Sequence, residues 1–276
     1  MLLEKIYWLG GYLTPRFYFQ QDITMNKRIA VITGGNRGLG KSTVLCLAKQ
    51  SIDCIFTYRS HEKEAKEVVK QVQDLGSKAV ALQLDVSDML GFEDFAQQLQ
   101  NVLQTHWQQS EFDYLINNAG VGLTSSFADT SESTFDTLIN INLRGVFFVT
   151  QTLLPFIKNG GRIINLSSGL TRFSLPGHIT YAMTKGAIEV MTRYLAQELA
   201  PKNITVNVVA PGAIETDFGN GVVRDNDEVN AFITSQTAMG RVGVTDDIGP
   251  MIANLLADEN RWMTGQRLEV SGGMYI

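Results

Sequence analysis

Seven short apolar runs rich in β-branched residues recur along the 276-residue chain, and helix-like segments separate most of them. The runs are Ile29–Thr33, Cys54–Tyr58, Ala79–Leu84, Tyr114–Asn117, Arg162–Leu166, Thr205–Val209 and Arg267–Val270. The helix-like segments are Gly38–Gln50, His61–Leu75, Asp88–Trp107, Glu132–Lys158, Ile179–Ala200 and Thr245–Asp258. Strands that alternate with helices of ten or more residues imply βαβ units and a parallel sheet covered on both faces. Right-handed crossovers wind such units into a doubly wound α/β sheet. One domain over 25–276 is expected, with residues 1–24 as an N-terminal extension, either an upstream addition or an arm on a neighbouring subunit.

With 44% hydrophobic residues the chain has ample material for one large core. A net charge of −5 with no long basic run gives no electrostatic case for nucleic acid or an anionic membrane. No apolar run approaches the roughly 18 residues of a membrane span. Cys46 and Cys54 fit neither a metal site nor a disulfide framework, and they suit a reducing compartment such as the cytoplasm. One stretch breaks the rhythm. Residues 217–240 are too long for an ordinary connection and carry Phe218, Val222, Val223, Phe232, Ile233 and Met239, the composition of a lid.

The first strand runs into TGGNRGLGKST at residues 33–43, where two anion sites can be read. From Gly35 the residues fit G-x-x-x-x-G-K-[ST], with Lys41 for a terminal phosphate and Ser42 for Mg²⁺. From Thr33 they fit T-G-x-x-x-G-x-G, with Gly34, Gly38 and Gly40 opening a helix toward a dinucleotide. Both place phosphate at a helix N-terminus, where free N–H groups favour negative charge. Asp85 can be cast as the acid that a nucleoside triphosphatase needs, so the turn alone leaves both open.

Later segments discriminate. Asn117-Asn118-Ala119-Gly120 follows the fourth strand and Asn142 lies in NINLRG. Ser167-Ser168 ends the fifth strand, and Tyr181-Ala182-Met183-Thr184-Lys185 forms Y-x-x-x-K with Tyr181 13 residues after Ser168. Pro211-Gly212, then Thr216, follows the sixth strand. In this order the motifs resemble the short-chain dehydrogenase/reductase family across essentially everything after Met25. The resemblance implies a Rossmann-type fold and a catalytic set of Asn142, Ser168, Tyr181 and Lys185. It implies a nicotinamide cofactor site of Gly34, Asn36, Arg37, Gly38, Leu39, Gly40, Asn118, Ala119 and Gly120. Pro211, Gly212, Ile214 and Thr216 complete that site, with Tyr181 and Lys185, while Asp85 and Val86 contact the adenine. Lys41 and Ser42 become ordinary first-turn helix residues.

Reducing a carbonyl needs a hydride, which a nicotinamide carries, and a proton from a positioned acid. Tyr181 has an ordinary pKa of about 10, and Lys185, one turn later on the same helix face, favours its ionised form. Ser168 can donate to the substrate oxygen. By the resemblance, Lys185 also bonds the nicotinamide ribose, and Asn142 holds a water in a proton relay.

An acidic residue about 20 positions beyond the glycines usually binds the 2′-hydroxyl of NAD. Here the second strand ends Thr57-Tyr58-Arg59-Ser60, and Arg59, Ser60 and Arg37 suit a 2′-phosphate instead, so NADP(H) is expected over NAD(H). Glu62 is the nearby acid that keeps NAD in view. The pocket walls are expected from Val121, Gly122 and Leu123, from Leu170, Thr171, Arg172 and Phe173, and from 217–240. These suit a carbonyl on a hydrophobic or acyl body, with Arg172 either exposed or a carboxylate or phosphopantetheine contact. The chain is similar to beta-ketoacyl-acyl-carrier-protein reductases and related ketone reductases, except that Ser271-Gly272-Gly273 stands where many have Asp-Gly-Gly. A small carbonyl, alcohol or acyl-thioester substrate and a homo-oligomer, dimer or tetramer, follow from the resemblance. The alternatives are an NAD-dependent alcohol or hydroxysteroid dehydrogenase, a P-loop nucleoside triphosphatase, and a non-catalytic NADP-binding regulator.

Overall fold

The computed structural model describes residues 27–276, so the extension at 1–24 lies outside the described residues. The strands are β1 (Ile29–Ile32), β2 (Asp53–Tyr58), β3 (Ala79–Gln83), β4 (Phe112–Asn117), β5 (Ile157–Leu166), β6 (Thr205–Pro211) and β7 (Arg267–Val270). They form one parallel sheet in the order β3-β2-β1-β4-β5-β6-β7. The helices are α1 (Gly38–Lys49), α2 (Glu62–Asp74), α3 (Phe92–Trp107), α4 (Glu132–Ile139), α5 (Val146–Leu153), α6 (Ile179–Leu199), α7 (Val222–Asp225), α8 (Asp227–Ser235) and α9 (Thr245–Leu255). Among the described residues no helix is long and apolar enough to cross a membrane.

Side chains alternate across a strand, and β1 shows what this does in a sheet covered on both faces. Ala30 and Ile32 join Val44 and Leu47 of α1, Val68 of α2 and Ile252 of α9. Ile29 and Val31 join Phe95 and Leu99 of α3, Leu153 of α5 and Ala196 of α6. All four β1 side chains are fully buried, so an apolar run without alternation is what a central strand requires. Because the order reverses at β1, a crevice opens between the C-terminal ends of β1 and β4.

One expectation needs correction, and one stretch gains detail. The stretch expected as one helix, 132–158, is α4, a π-helical segment Asn140–Gly145, α5 and a 3₁₀ turn Leu154–Phe156. Pro155 sits in that turn, where it cannot donate the hydrogen bond that would continue α5, and β5 begins at Ile157 rather than at 162. A Cβ on Gly145 would collide with the Val86 carbonyl, so the π segment lets the helix lie against the loop after β3. The stretch 217–240 is also more structured than a loop. It holds α7 and α8, preceded by three consecutive left-handed residues, Gly219 (φ 60°), Asn220 (φ 61°) and Gly221 (φ 73°).

Gly40 sets the tightest packing requirement at the start of α1. A side chain there would strike the Gly34 carbonyl and the Asn118 amide nitrogen. Gly40→Ala is therefore expected to lose about 1–3 kcal/mol of unfolding free energy, read from urea titrations. An unchanged midpoint would show that the turn can relax.

Candidate active site

The glycine turn is fixed by bonds to both neighbouring strands. Gly35 N–H donates to the Thr57 carbonyl at 2.8 Å and Gly34 N–H to Thr57 Oγ1 at 3.1 Å. On the other side, Thr33 Oγ1 accepts from the N–H groups of Asn118 and Ala119, each at 3.0 Å. Asn118 Nδ2 donates to the carbonyls of Thr33 and Gly34, each at 2.9 Å. Gly34 (φ 67°) and Gly38 (φ 55°) are left-handed, a conformation that costs a side-chain-bearing residue energy. Arg37 is the N-cap of α1 and offers no side-chain cap, so the first N–H groups of this helix suit an anion.

The turn borders a cavity of about 930 Å³ that runs from Arg59 and Asp85 past Tyr181 to Phe232 and Met274. Gly34, Asn36, Arg37, Gly38 and Leu39 line it, as do Arg59, Ser60, Asp85, Val86, Asn118, Ala119 and Gly120. So do Ser168, Tyr181, Lys185, Pro211, Gly212, Ile214 and Thr216. Gly40 and Asn142 stand behind the wall instead. Gly40 packs on Gly34, and the fully buried Asn142 spends its amide on Val121, accepting from its N–H and donating to its carbonyl, both at 2.9 Å.

Ser168 lies two residues past the end of β5, at the start of a 3₁₀ turn, and Tyr181 and Lys185 project from one face of α6. Lys185 Nζ donates to the Leu166 carbonyl at 2.9 Å and lies 5.7 Å from the centre of the Tyr181 ring. Burial dominates the electrostatics of the pair. It pushes the Tyr181 phenol up to about 12, against a smaller downward pull from the Ser168 hydroxyl, and the Lys185 ammonium down to about 8. Desolvation, not the expected help from Lys185, thus sets the direction of the Tyr181 shift in the protein alone. The ammonium has three N–H donors and one acceptor among the described residues, which leaves two for ligand oxygens. That shortfall, the uncapped helix and the glycine cradle all fit a nicotinamide dinucleotide.

At the far end of the dinucleotide half, Arg59 makes no ion pair among the described residues, and Arg37 has only Asp217, at 3.8 Å. Glu62 turns away and pairs with Lys66 at 2.8 Å on the exposed face of α2. Asn36 Nδ2 is anchored on Glu64 at 3.0 Å. His61, beside Ser60, also lines the cavity; its position next to Arg59-Ser60 was the available signal.

The substrate half differs from expectation in detail. Val121, Gly122, Leu123, Leu170 and Phe173 line it, but Thr171 and Arg172 do not. Arg172 forks onto Glu269 at 2.6 and 2.8 Å and donates to the carbonyls of Met274 and Tyr275, so it anchors the C-terminal turn. Ser271 Oγ donates to the same Glu269 at 2.7 Å, where an aspartate would set two carboxylates side by side. Phe218 packs against Tyr181, with ring centres 5.8 Å apart, and lies so close to Gly122 that a Cβ there would collide with it. Leu175, Pro176 and His178, to which no sequence motif points, also line the cavity. Ser42 takes no part: its hydroxyl donates to the Thr245 carbonyl at 3.1 Å and to Asp246 at 3.3 Å, joining α1 to α9.

Burying Lys185 with one acceptor costs stability, since its proton is held less tightly in the fold than in the unfolded chain. Between about pH 8 and its ordinary 10.5 the unfolded chain binds the extra proton, so stability of the ligand-free protein rises with pH across that window. Lys185→Met is expected to raise ligand-free stability by about 1–3 kcal/mol at pH 7 and to remove that slope, read by denaturant titration. A destabilised variant would contradict this account.

Comparison with known proteins agrees with the geometry. A family model described as enoyl-(acyl carrier protein) reductase matches residues 34–275. The tetrahydroxynaphthalene reductase PfmaG of Pestalotiopsis fici is 34% identical over 265 residues, covering 92% of this chain and 94% of that protein. The short-chain dehydrogenase/reductase from Serratia marcescens superposes with a TM-score of 0.83 at 30% identity, covering 90% of this chain and 98% of that one. The angucycline C-6 ketoreductase LanV with bound NADP gives a TM-score of 0.85 at 30% identity, over 90% of this chain and 95% of that one. With these motifs in order around one crevice, the chain belongs to the short-chain dehydrogenase/reductase family of NAD(P)-dependent oxidoreductases.

Proposed function

We propose that the protein is an NADPH-dependent reductase of a ketone carried on a flat, largely apolar ring system, yielding a secondary alcohol. The observation that carries this reading is the position of Tyr181, Ser168 and Lys185 at the waist of one cavity. On one side lie the glycine turn and two guanidinium groups, and on the other a wall of Leu123, Phe173, Leu175, Phe218 and Phe232. A similar protein is named for a naphthalene substrate and another for an angucycline, which supports a fused-ring ketone. A 3-oxoacyl thioester is served less well, because Arg172, the cation that could have met a carboxylate or phosphopantetheine, is committed to Glu269.

NADPH, when bound, supplies the hydride. Ser168 donates a hydrogen bond to the ketone oxygen and stabilises the charge that develops there. Tyr181 delivers the proton to that oxygen; its raised pKa keeps the phenol protonated at neutral pH, the form that reduction requires. Lys185 binds ribose hydroxyls with its two unused N–H donors and keeps positive charge beside the phenol. Asn142 fixes the Gly120–Gly122 turn through Val121, beside the Lys185 ammonium. Arg37, Arg59 and Ser60 take the 2′-phosphate. The segment 217–240 acts as the lid. An oligomer of this chain is supported by exposed Phe147, Met183, Val190 and Tyr194 on α5 and α6.

The test follows NADPH absorbance with a panel of fused-ring ketones and acyl thioesters. Tyr181→Phe is expected to lose roughly 10²–10⁴-fold in kcat with NADPH affinity retained. Arg59→Ala is expected to weaken NADPH binding about tenfold or more while leaving NADH binding little changed. Wild-type turnover in Tyr181→Phe, or equal affinity for NADH and NADPH in the unaltered enzyme, would overturn the corresponding assignment.

A further inference from the structure

Among the described residues, the substrate half of the cavity holds one ionisable side chain besides Tyr181 and Lys185. The others, Arg37, Arg59, His61, Asp85 and Asp217, gather at the dinucleotide end. The exception is His178, the residue just before α6. Tyr181 and Lys185 share one face of α6, His178 stands three residues before Tyr181 at the N-terminal end of that helix, and all three line the cavity. The imidazole is half-buried and does not cap the helix, and neither of its nitrogens bonds a described residue. Its backbone is fixed nonetheless. The His178 carbonyl accepts from Ala182 N–H at 2.9 Å, and the preceding Gly177 (φ 83°) carbonyl accepts from Ser125 N–H at 2.9 Å.

A half-buried imidazole in a largely apolar wall, with no partner among the described residues, has its donor and acceptor free for a ligand. Burial lowers the pKa of His178 below its ordinary value, so at neutral pH the ring is uncharged and offers one donor and one acceptor. It stands about one helical turn, ~5 Å, from Tyr181, a spacing on the scale of two oxygens carried on one ring.

We propose that His178 hydrogen-bonds a second oxygen of the substrate, a hydroxyl or carbonyl on the ring that carries the reacting ketone, and so selects oxygenated ring ketones over plain ones. The proposal rests on the ring-ketone reading above and adds its polar determinant. A site that hydrogen-bonds a substrate hydroxyl discriminates strongly against the analogue that lacks it.

The experiment compares kcat/KM for β-tetralone and for its analogue with a hydroxyl meta to the carbonyl on the same ring. The unaltered enzyme is expected to favour the hydroxylated ketone about tenfold or more, largely through KM. His178→Phe is expected to bring that ratio close to one, and His178→Gln, which keeps a donor and an acceptor, to retain part of it, with NADPH affinity within about twofold in both. No preference in the unaltered enzyme, or a loss in His178→Phe that is equal for both ketones, would overturn the proposal. Failure of the broader reading looks different: the unaltered enzyme would reduce neither ketone while reducing a 3-oxoacyl thioester.

Discussion

The Asn118 side chain ties the end of β4 to the two carbonyls that open the glycine turn, and the rest of the site depends on that clamp. Strand order reverses between β1 and β4, so nothing in the sheet's own ladder closes the gap above their C-terminal ends. Thr33 and Asn118 cross that gap with four hydrogen bonds of 2.9–3.0 Å. They hold the N-terminus of α1 over the crevice, and they set the start of the Ala119–Leu123 segment that Asn142 then fixes from behind. A dinucleotide half and a substrate half thereby share one floor.

Against that rigid floor, Tyr181 and Lys185 carry the electrostatic tension of the site. Each is almost fully buried, and burial opposes the charged form of both. For Tyr181 this suits a proton donor. For Lys185 it is a cost that the fold tolerates with a single carbonyl acceptor among the described residues, and that ligand oxygens can offset. A site of this kind is less stable empty than filled, which is a common bargain where function needs a desolvated charge.

Much of this was legible in the residues. The apolar, non-alternating runs required a parallel sheet covered on both faces, and the ordered motifs placed Tyr181, Lys185, Ser168 and the glycine turn around one cavity. The P-loop pattern at 35–42 was a decoy, since the Ser42 hydroxyl serves the contact between α1 and α9. Other features depend on partners far away in sequence. The π segment Asn140–Gly145 answers to the Val86 carbonyl, and Arg172 is drawn from the pocket wall by Glu269, 97 residues later. The pKa of Tyr181 could not be read from its spacing to Lys185, because desolvation is a property of the assembled core. His178 did carry a signal, its place three residues before Tyr181 at the start of that helix, but an isolated histidine gains meaning only in an apolar wall.

The central claim is that the cavity brings a nicotinamide and a ketone face to face, with Tyr181 supplying the proton. It is tested most directly by isotope transfer. A fused-ring ketone is reduced with NADPH carrying deuterium at the reactive nicotinamide carbon, in ordinary water, and the alcohol is examined by mass spectrometry and NMR. The account predicts one deuterium on the carbinol carbon of each product molecule, with the hydroxyl proton drawn from solvent. Alcohol formed without deuterium at that carbon, or NADPH left unoxidised as the ketone disappears, would contradict it.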